Sequence, residues 1–445
     1  MNLGSRFLLL ACSSLALVVF SAQAVLDAEA IGQWQGVLPV QGGLRMVIKI
    51  TPAENGQLHA TFMSIDQSPQ ETVLKDVTLQ GNAFHFGFEG AADHYEGTLS
   101  EDGTTITGKW FGSAHPGSPP YPFDLHLATG ATKWEADSSP HTTQFVTVQD
   151  DVKLEVLDWG GTGRPLVFLA GLGNDAHVFG KIAPKLINTY HVYGITRRGF
   201  GASSDPEPTA ENYAADRLGD DVLAVVDALK LERPVLAGHS IAGEELSSIG
   251  SRHPEKVAGL IYLDAAYGFA FYDRAHGEID IDGNDTMRKL THLLTDASPQ
   301  EGRRLARELL QTDLPQLAKS LGQLQQQLDA TPDAEAVATS SGSRKDRIAQ
   351  AVLAGGKKYS NIRCPVLAIY AVAPAMASSN QAAAALDKVR RSQQAVQVKA
   401  FQVGVPAAQV ISLQNADHLV FSSNEAEVLQ HMRDFLAKLP SADKK

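Results

Sequence analysis

The chain has 445 residues, 44% of them hydrophobic and 20% charged, ordinary proportions for a globular protein with a full core. Its net charge of −12 at pH 7 excludes a surface built for phosphate backbones or anionic membranes, so no nucleic-acid partner is expected. With two cysteines, no C-x-x-C pair and no H-E-x-x-H run, neither a dedicated metal site nor another cofactor is expected.

Residues 1–24 read as an export signal. Arg6 is the one charged side chain there, Phe7 to Phe20 is apolar, and Ala22-Gln-Ala24 fits a small-residue cleavage site. The apolar run is too short to span a bilayer, and no later stretch is long and apolar enough. The expectation is an exported protein, periplasmic or secreted, without a stable membrane anchor and starting near Val25. Cleavage removes Cys12, leaving Cys364 before Pro365 and a buried strand pattern, where it fits as a small core residue.

Residues 25–128 read as an all-β domain. Leu44–Ile50, Leu58–Ser64, Ala83–Phe88 and His94–Leu99 have strand length and alternation. Turn signals separate them: Glu54-Asn-Gly56, Gln80-Gly-Asn82 and Glu101-Asp-Gly103. That spacing predicts an antiparallel meander or small barrel. The histidines His59, His85, His94 and His126 are too scattered to form a site. The proline-rich stretch Ala114 to Pro122 is a loop before a last strand, Phe123 to Leu127. Residues 129–142 are a polar linker.

From residue 143 to about 440 the pattern changes to alternating strand and helix, the signature of a mostly parallel sheet. Thr143–Val148 and Lys153–Trp159 open it as a hairpin, and Gly160 to Gly163 is a turn before the buried strand Pro165–Ala170. A helix is expected over Ala176–Thr189, a strand over His191–Ile195 and an amphipathic helix over Tyr213–Leu229. The strands Pro234–Ala237 and Val257–Leu263 follow. Strand and helix then stop alternating, and helical spacing over Met287–Leu294, Gln300–Leu310 and Pro315–Leu328 predicts a helical cap at about 268–360. Alternation returns with Pro365–Tyr370, a helix over Ser379–Phe401, a strand over Gln409–Leu413 and a closing helix over Asn424–Leu439.

The chemistry centres on Gly238-His-Ser-Ile-Ala242, a serine between small residues where a buried strand breaks into a helix. Such a turn stands a hydroxyl clear of the backbone and places the next N–H, that of Ile241, at a helix N-terminus. A serine needs a base, and the base an orienting acid. His418 stands in the loop after the last strand and before the final helix, where the base belongs. The usual position for the acid, after Pro365–Tyr370, has no carboxylate in Ala371-Val-Ala-Pro-Ala-Met-Ala377. Asp264, at the end of the preceding strand, is the candidate, because parallel strands gather a site at their carboxyl ends. Gly171-Leu-Gly173 is flexible enough to aim the Leu172 N–H inward as a second oxyanion donor. Tyr267, Phe269 and Phe271 follow Asp264 and either line a substrate pocket or pack at the root of the cap. His239 is expected to pack rather than react, and Glu244, one helical turn past Ser240, to be a buried-end or surface carboxylate.

With the elbow, Arg198-Gly-Phe-Gly-Ala-Ser203 and Ala416-Asp-His418, residues 143–440 resemble the α/β-hydrolase superfamily. The all-β segment resembles the lipocalin-like domain that precedes the catalytic domain in some exported serine hydrolases. The resemblance implies an α/β-hydrolase sheet with a helical cap and the chain order Ser240, Asp264, His418. Three departures stand out. Ala170-Gly171 replaces the family's His-Gly, Ala242 replaces the second elbow glycine, and the acid sits one strand early, as in some haloalkane dehalogenases. Dehalogenases and epoxide hydrolases of this fold use an aspartate nucleophile, so Ser240 argues against both chemistries. The leading expectation is a serine hydrolase acting on a small or medium apolar ester. The alternatives are an aminopeptidase or amidase holding an ammonium with Glu278, Asp280 and Asp282, or an inert ligand-binding protein.

Overall fold

A computed structural model describes residues 30–40, 43–53, 57–89, 93–112, 120–135, 137, 139–329, 344–374 and 381–440. The export signal at 1–24, the turn at 54–56, most of the proline-rich loop and the start of the helix expected from Ser379 lie outside these residues. The described residues divide into two compact units, the first ending at Asp137 and the second comprising those after it.

The first unit is one ten-stranded antiparallel sheet. Its strands are β1 (Gly32–Leu38), β2 (Leu44–Pro52), β3 (Leu58–Ser64), β4 (Thr72–Val73), β5 (Lys75–Gln80), β6 (Ala83–Gly87), β7 (His94–Leu99), β8 (Thr105–Phe111), β9 (Tyr121–Pro122) and β10 (Leu125–Leu127). The order β4-β3-β2-β1-β10-β8-β7-β6-β5 puts at the two edges strands that only Leu74 separates in the chain, so the sheet curls until it nearly closes. Alternation sends one side chain in two inward, and the interior fills with rings. Phe86 stacks on Tyr95 at 5.1 Å between centroids, Phe62 meets Phe88 edge-on at 5.2 Å, and Trp110 meets Phe123 at 6.1 Å. Trp34 is fully buried, its indole N–H donating to the Ala30 carbonyl at 2.8 Å. The start of the expected linker packs here too: Trp134 N–H donates to Gln35 Oε1 at 3.0 Å and Gln35 Nε2 to the Thr132 carbonyl at 2.8 Å.

The second unit is built on an eight-stranded sheet in the order β11-β12-β14-β13-β15-β16-β17-β18. Its strands are β11 (Thr142–Gln149), β12 (Val152–Gly160), β13 (Pro165–Leu169), β14 (His191–Ile195), β15 (Val235–His239), β16 (Gly259–Leu263), β17 (Val366–Val372) and β18 (Ala408–Gln414). β11 and β12 form an antiparallel hairpin, β12 runs antiparallel to β14, and the remaining neighbours are parallel. The central strands are apolar along both faces because helices cover both.

The helices are α1 (Ala215–Ala228), α2 (Gly243–Arg252), α3 (Ile279–Thr295), α4 (Pro299–Glu308), α5 (Leu314–Asp329), α6 (Arg344–Ala354), α7 (Gln381–Gly404), α8 (Val420–Ser423) and α9 (Glu425–Lys438). α3 to α6 form the cap inserted between β16 and β17. The helix expected over Ala176–Thr189 is a correction: it is two short 3₁₀ turns, Ala176–Phe179 and Ala183–Lys185. Gly180 ends the first, and Pro184, which has no N–H, sits inside the second and prevents a continuous α-ladder.

A fully buried guanidinium fixes the loop after β14. Arg198 forks onto Asp221 of α1, both bonds at 2.6 Å, and spends further N–H groups on the Asn212 carbonyl and Gln149. Cys364 is a buried free thiol, as its place before β17 suggested. Among the described residues no helix is long and apolar enough to cross a membrane.

In the first unit, Gly97 and Gly108 face each other across β7 and β8 because the Tyr95 ring lies over both. A methyl group at Gly108 would overlap the Tyr95 hydroxyl, whereas one at Gly130 meets nothing. Gly108→Ala is expected to destabilise by about 1–3 kcal/mol through overpacking. Gly130→Ala should be close to neutral. Urea unfolding followed by tryptophan fluorescence checks both.

Candidate active site

β15 ends at His239, and the chain turns so sharply that Ser240 adopts φ = 54°, left-handed backbone that a non-glycine residue rarely takes. A 3₁₀ turn, Ser240–Ala242, leads directly into α2. The close return explains the small neighbours. A Cβ at Gly238 would sit 3.0 Å from Leu246 and 3.1 Å from the Ala242 methyl, and one at Gly243 would collide with the Ala265 carbonyl. Ala242 is fully buried in the core beside β15, so a methyl is accommodated where the family carries glycine.

The parallel register brings the other two groups to the same sheet end. β16 ends at Leu263 and β18 at Gln414, so Asp264 and His418 both leave the sheet on the side of Ser240. His418 Nε2 lies 2.9 Å from Ser240 Oγ, and His418 Nδ1 lies 2.7 Å from Asp264 Oδ2. A carboxylate only accepts, so Nδ1 carries the ring proton and Nε2 is left to accept the serine proton. The three side chains grade from wet to dry. His418 is 42% exposed at its side chain, Ser240 is half-buried, and Asp264 is 4% exposed.

Asp264 is held from every side. It too adopts a left-handed turn, φ = 48°, and its own N–H donates to the Ile369 carbonyl at 2.7 Å. Its Oδ1 accepts from the Ala371 N–H at 2.9 Å and from the Tyr267 hydroxyl. Ala371 lies within β17, one residue before its end, and supplies a backbone donor to a carboxylate on the neighbouring strand end. Tyr267 is tied in turn by Gln394 of α7, whose Nε2 donates to the Tyr267 oxygen at 2.9 Å and to the Ala371 carbonyl at 2.6 Å. Burial and the Asp264 charge push the Tyr267 phenol far above its ordinary range, so it remains a donor.

His239 packs, as expected, and also props the base. It is 2% exposed, and its Nε2–H donates to the His418 carbonyl at 2.9 Å. Its ring lies 4.6 Å from that of His418 and 5.2 Å from Phe421. Burial, reinforced by the nearby charge of His418, lowers its pKa to about 3, so it stays neutral. Glu244 is a buried carboxyl with one oxygen unpartnered; burial first, then Glu245, raise its pKa well above the usual range.

The proposed oxyanion donors flank Ser240. Ile241 opens the 3₁₀ turn, and a Cβ on Gly171 would lie 3.1 Å from Ser240 Cβ, which places the Gly171-Leu172 backbone against the serine. Leu172 packs with Ile241 and Phe269 in one apolar cluster beside the serine. The three aromatic residues expected to line a pocket take different partners, although the Tyr267 and Phe269 rings lie 6.0 Å apart. Phe269 lies at that cluster. Phe271 is a correction: it is 8% exposed and buried against Phe401 and Gly404, because α7 crosses directly over it. Tyr267 spends its hydroxyl on Asp264, a role that composition did not suggest, although a tyrosine three residues after the acid was the available clue. Of the acidic trio in the cap, Asp282 is committed to Tyr272, Ser320 and Lys358. Glu278 faces a cavity of about 450 Å³, and burial with Asp280 and Asp282 raises its pKa to about 7.

Residues 164–425 match the model of the alpha/beta hydrolase fold family. The chain is similar to the fluoroacetate dehalogenase of a Burkholderia species, 31% identical over 116 residues, 26% of this chain and 38% of that protein. It is also similar to a serine hydrolase-like protein of Danio rerio, 34% identical over 112 residues, 25% of this chain and 34% of that protein. The chain thus spans about two fifths of the length of the curated relatives it matches. Among solved structures, a thermophilic esterase from Thermogutta terrifontis is 16% identical, covering 67% of this chain and 99% of that one, with a TM-score of 0.41.

Burial raises the folded pKa of Glu244 above its unfolded one, so stability present below the unfolded pKa is lost as pH rises toward the folded one. Glu244→Gln removes that loss. The melting temperature should rise by about 2–4 °C at pH 8, as for roughly 1 kcal/mol in a domain of this size, and change little at pH 4. Calorimetry at the two pH values tests this.

Proposed function

The chain belongs to the alpha/beta hydrolase fold family, and from that premise we propose that it is a serine hydrolase cleaving a carboxylic ester through an acyl-enzyme. The observation that carries the proposal is the continuous relay from Ser240 Oγ through His418 to Asp264, with contacts of 2.9 and 2.7 Å.

In the proposed reaction His418 Nε2 takes the Ser240 proton as Oγ adds to the acyl carbon, and Asp264 balances the imidazolium. The carbonyl oxygen becomes an oxyanion and receives the N–H groups of Ile241 and Leu172. His418 then gives its proton to the departing alcohol. Water, deprotonated by the same ring, releases the acid and restores Ser240. The apolar cluster of Leu172, Ile241 and Phe269 beside the serine favours a small or medium apolar acyl group. Ser240 stands where a dehalogenase or epoxide hydrolase of this fold carries its aspartate nucleophile, and a serine favours acyl transfer.

An aminoacyl substrate is the second reading, favoured by Glu278, which lines a cavity of about 450 Å³ with the carboxylates of Asp280 and Asp282 as electrostatic neighbours. With Asp282 already paired to Lys358, that reading rests on Glu278 alone. Export through cleavage after Ala24 is part of the proposal, with the mature chain beginning at Val25.

A fluorophosphonate probe should label the wild type and not Ser240→Ala; an unlabelled wild type would favour an inert binding fold. Asp264→Asn should lower kcat by roughly 10²–10⁴-fold at unchanged melting temperature; near-normal turnover would mean that the acid lies elsewhere. Matched p-nitrophenyl esters and aminoacyl anilides separate the two readings, turnover of anilides alone rejecting the ester.

A further inference from the structure

The site leaves one buried ion pair without a part in the chemistry. Arg197 and Glu245 are each about 4% exposed at their side chains, and they bond at 2.5 and 3.1 Å. Arg197 follows β14 and Glu245 lies in the first turn of α2, the helix that Ser240 introduces. The Phe200 ring sits 5.8 Å below the guanidinium, and the Asp221 carboxylate and the Glu244 carboxyl are the other titratable groups that bear on the pair. A buried pair of this kind does little for stability compared with apolar residues of the same volume. Its other bonds give it a direction. Arg197 also donates to the carbonyls of Ala170 at 2.9 Å and Gly171 at 3.4 Å.

Those carbonyls belong to the loop that ends at Leu172. The peptide joining Gly171 to Leu172 is planar and trans, so its C=O and N–H point in opposite directions. The Gly171 oxygen is held by Arg197 and, at 3.3 Å, by the Asn174 N–H. Pinning that oxygen on one side aims the Leu172 N–H to the other, and Gly171 is also the residue whose missing Cβ lets the loop lie against Ser240. A positive charge on the carbonyl side polarises the same peptide and strengthens its N–H as a donor.

We propose that Arg197, oriented by Glu245, is a positioning residue that aims and polarises the Leu172 N–H for the oxyanion. The proposal rests on the serine-hydrolase reading above. It adds that the donor's direction is set by a buried charge tied to the nucleophile's own helix. The loop and the elbow are thereby braced as one unit, so that the distance between the two oxyanion donors holds while substrate enters.

The test compares Arg197→Met, Glu245→Leu and the double variant with the wild type. p-Nitrophenyl butyrate serves as substrate and a trifluoromethyl ketone as mimic of the tetrahedral intermediate. Arg197→Met is expected to lower kcat about 10–100-fold, below the 10²–10³-fold typical of losing a whole oxyanion donor. KM should stay within about twofold, and the ketone should bind more weakly by the same factor as kcat falls. Each single variant leaves an unpaired polar group and should melt lower. The double variant, with an apolar pair, should regain the melting temperature without regaining kcat, which separates aiming from folding. A double variant that is folded and turns over at the wild-type rate, or a loss confined to KM, overturns the proposal. Fluorophosphonate labelling of the wild type keeps the two claims apart. A labelled wild type with unaffected variants rejects the brace alone, and an unlabelled wild type rejects both.

Discussion

The Asp264 carboxylate is the junction on which the candidate site depends. Three donors from three parts of the chain meet on it: the His418 ring, the Ala371 N–H and the Tyr267 hydroxyl. A carboxylate buried to 4% exposure needs such donors to replace the water it gave up. The register of β16, β17 and β18 meets that condition: Leu263 pairs with Ile369, so Asp264 leaves β16 alongside the last residues of β17, where the Ala371 N–H reaches it. Moving the acid by one strand therefore preserves the geometry at the imidazole. The histidine reaches across the end of β17 to the strand beyond, and the skipped strand contributes a peptide N–H.

Much of this was legible in the amino-acid order, and the reasons are physical. A serine between small residues at a strand-to-helix break is a local signal, since the close return of α2 excludes side chains at 238 and 243. The positions of His418 and Asp264 follow from counting strands, because a parallel sheet delivers successive exits to one edge. The absence of a carboxylate from 371–377 is itself informative, because it leaves the end of β16 as the strand exit with an acid beside the imidazole.

What escaped depended on side-chain direction after the chain leaves the sheet. Tyr267, Phe269 and Phe271 alternate in sequence yet take different partners: a carboxylate, an apolar cluster and the core under α7. No periodicity applies in such a segment, so composition suggested one fate for all three. The Ala176–Thr189 segment failed differently: its apolar spacing is helical, but Gly180 and Pro184 interrupt the ladder. Arg197 was hidden by its neighbour, since two adjacent arginines read as one feature, while the fold gives Arg198 to Asp221 and Arg197 to Glu245.

The donor at residue 371 has a consequence for how freely that strand end can vary. A peptide N–H is common to nineteen of the twenty amino acids, so the identity of the side chain there is decoupled from the hydrogen bond to the acid. Proline alone would abolish it. At 371 only packing then constrains the side chain, which is buried. The end of β16 is constrained more tightly, because a left-handed turn and a carboxylate are required there of one residue together.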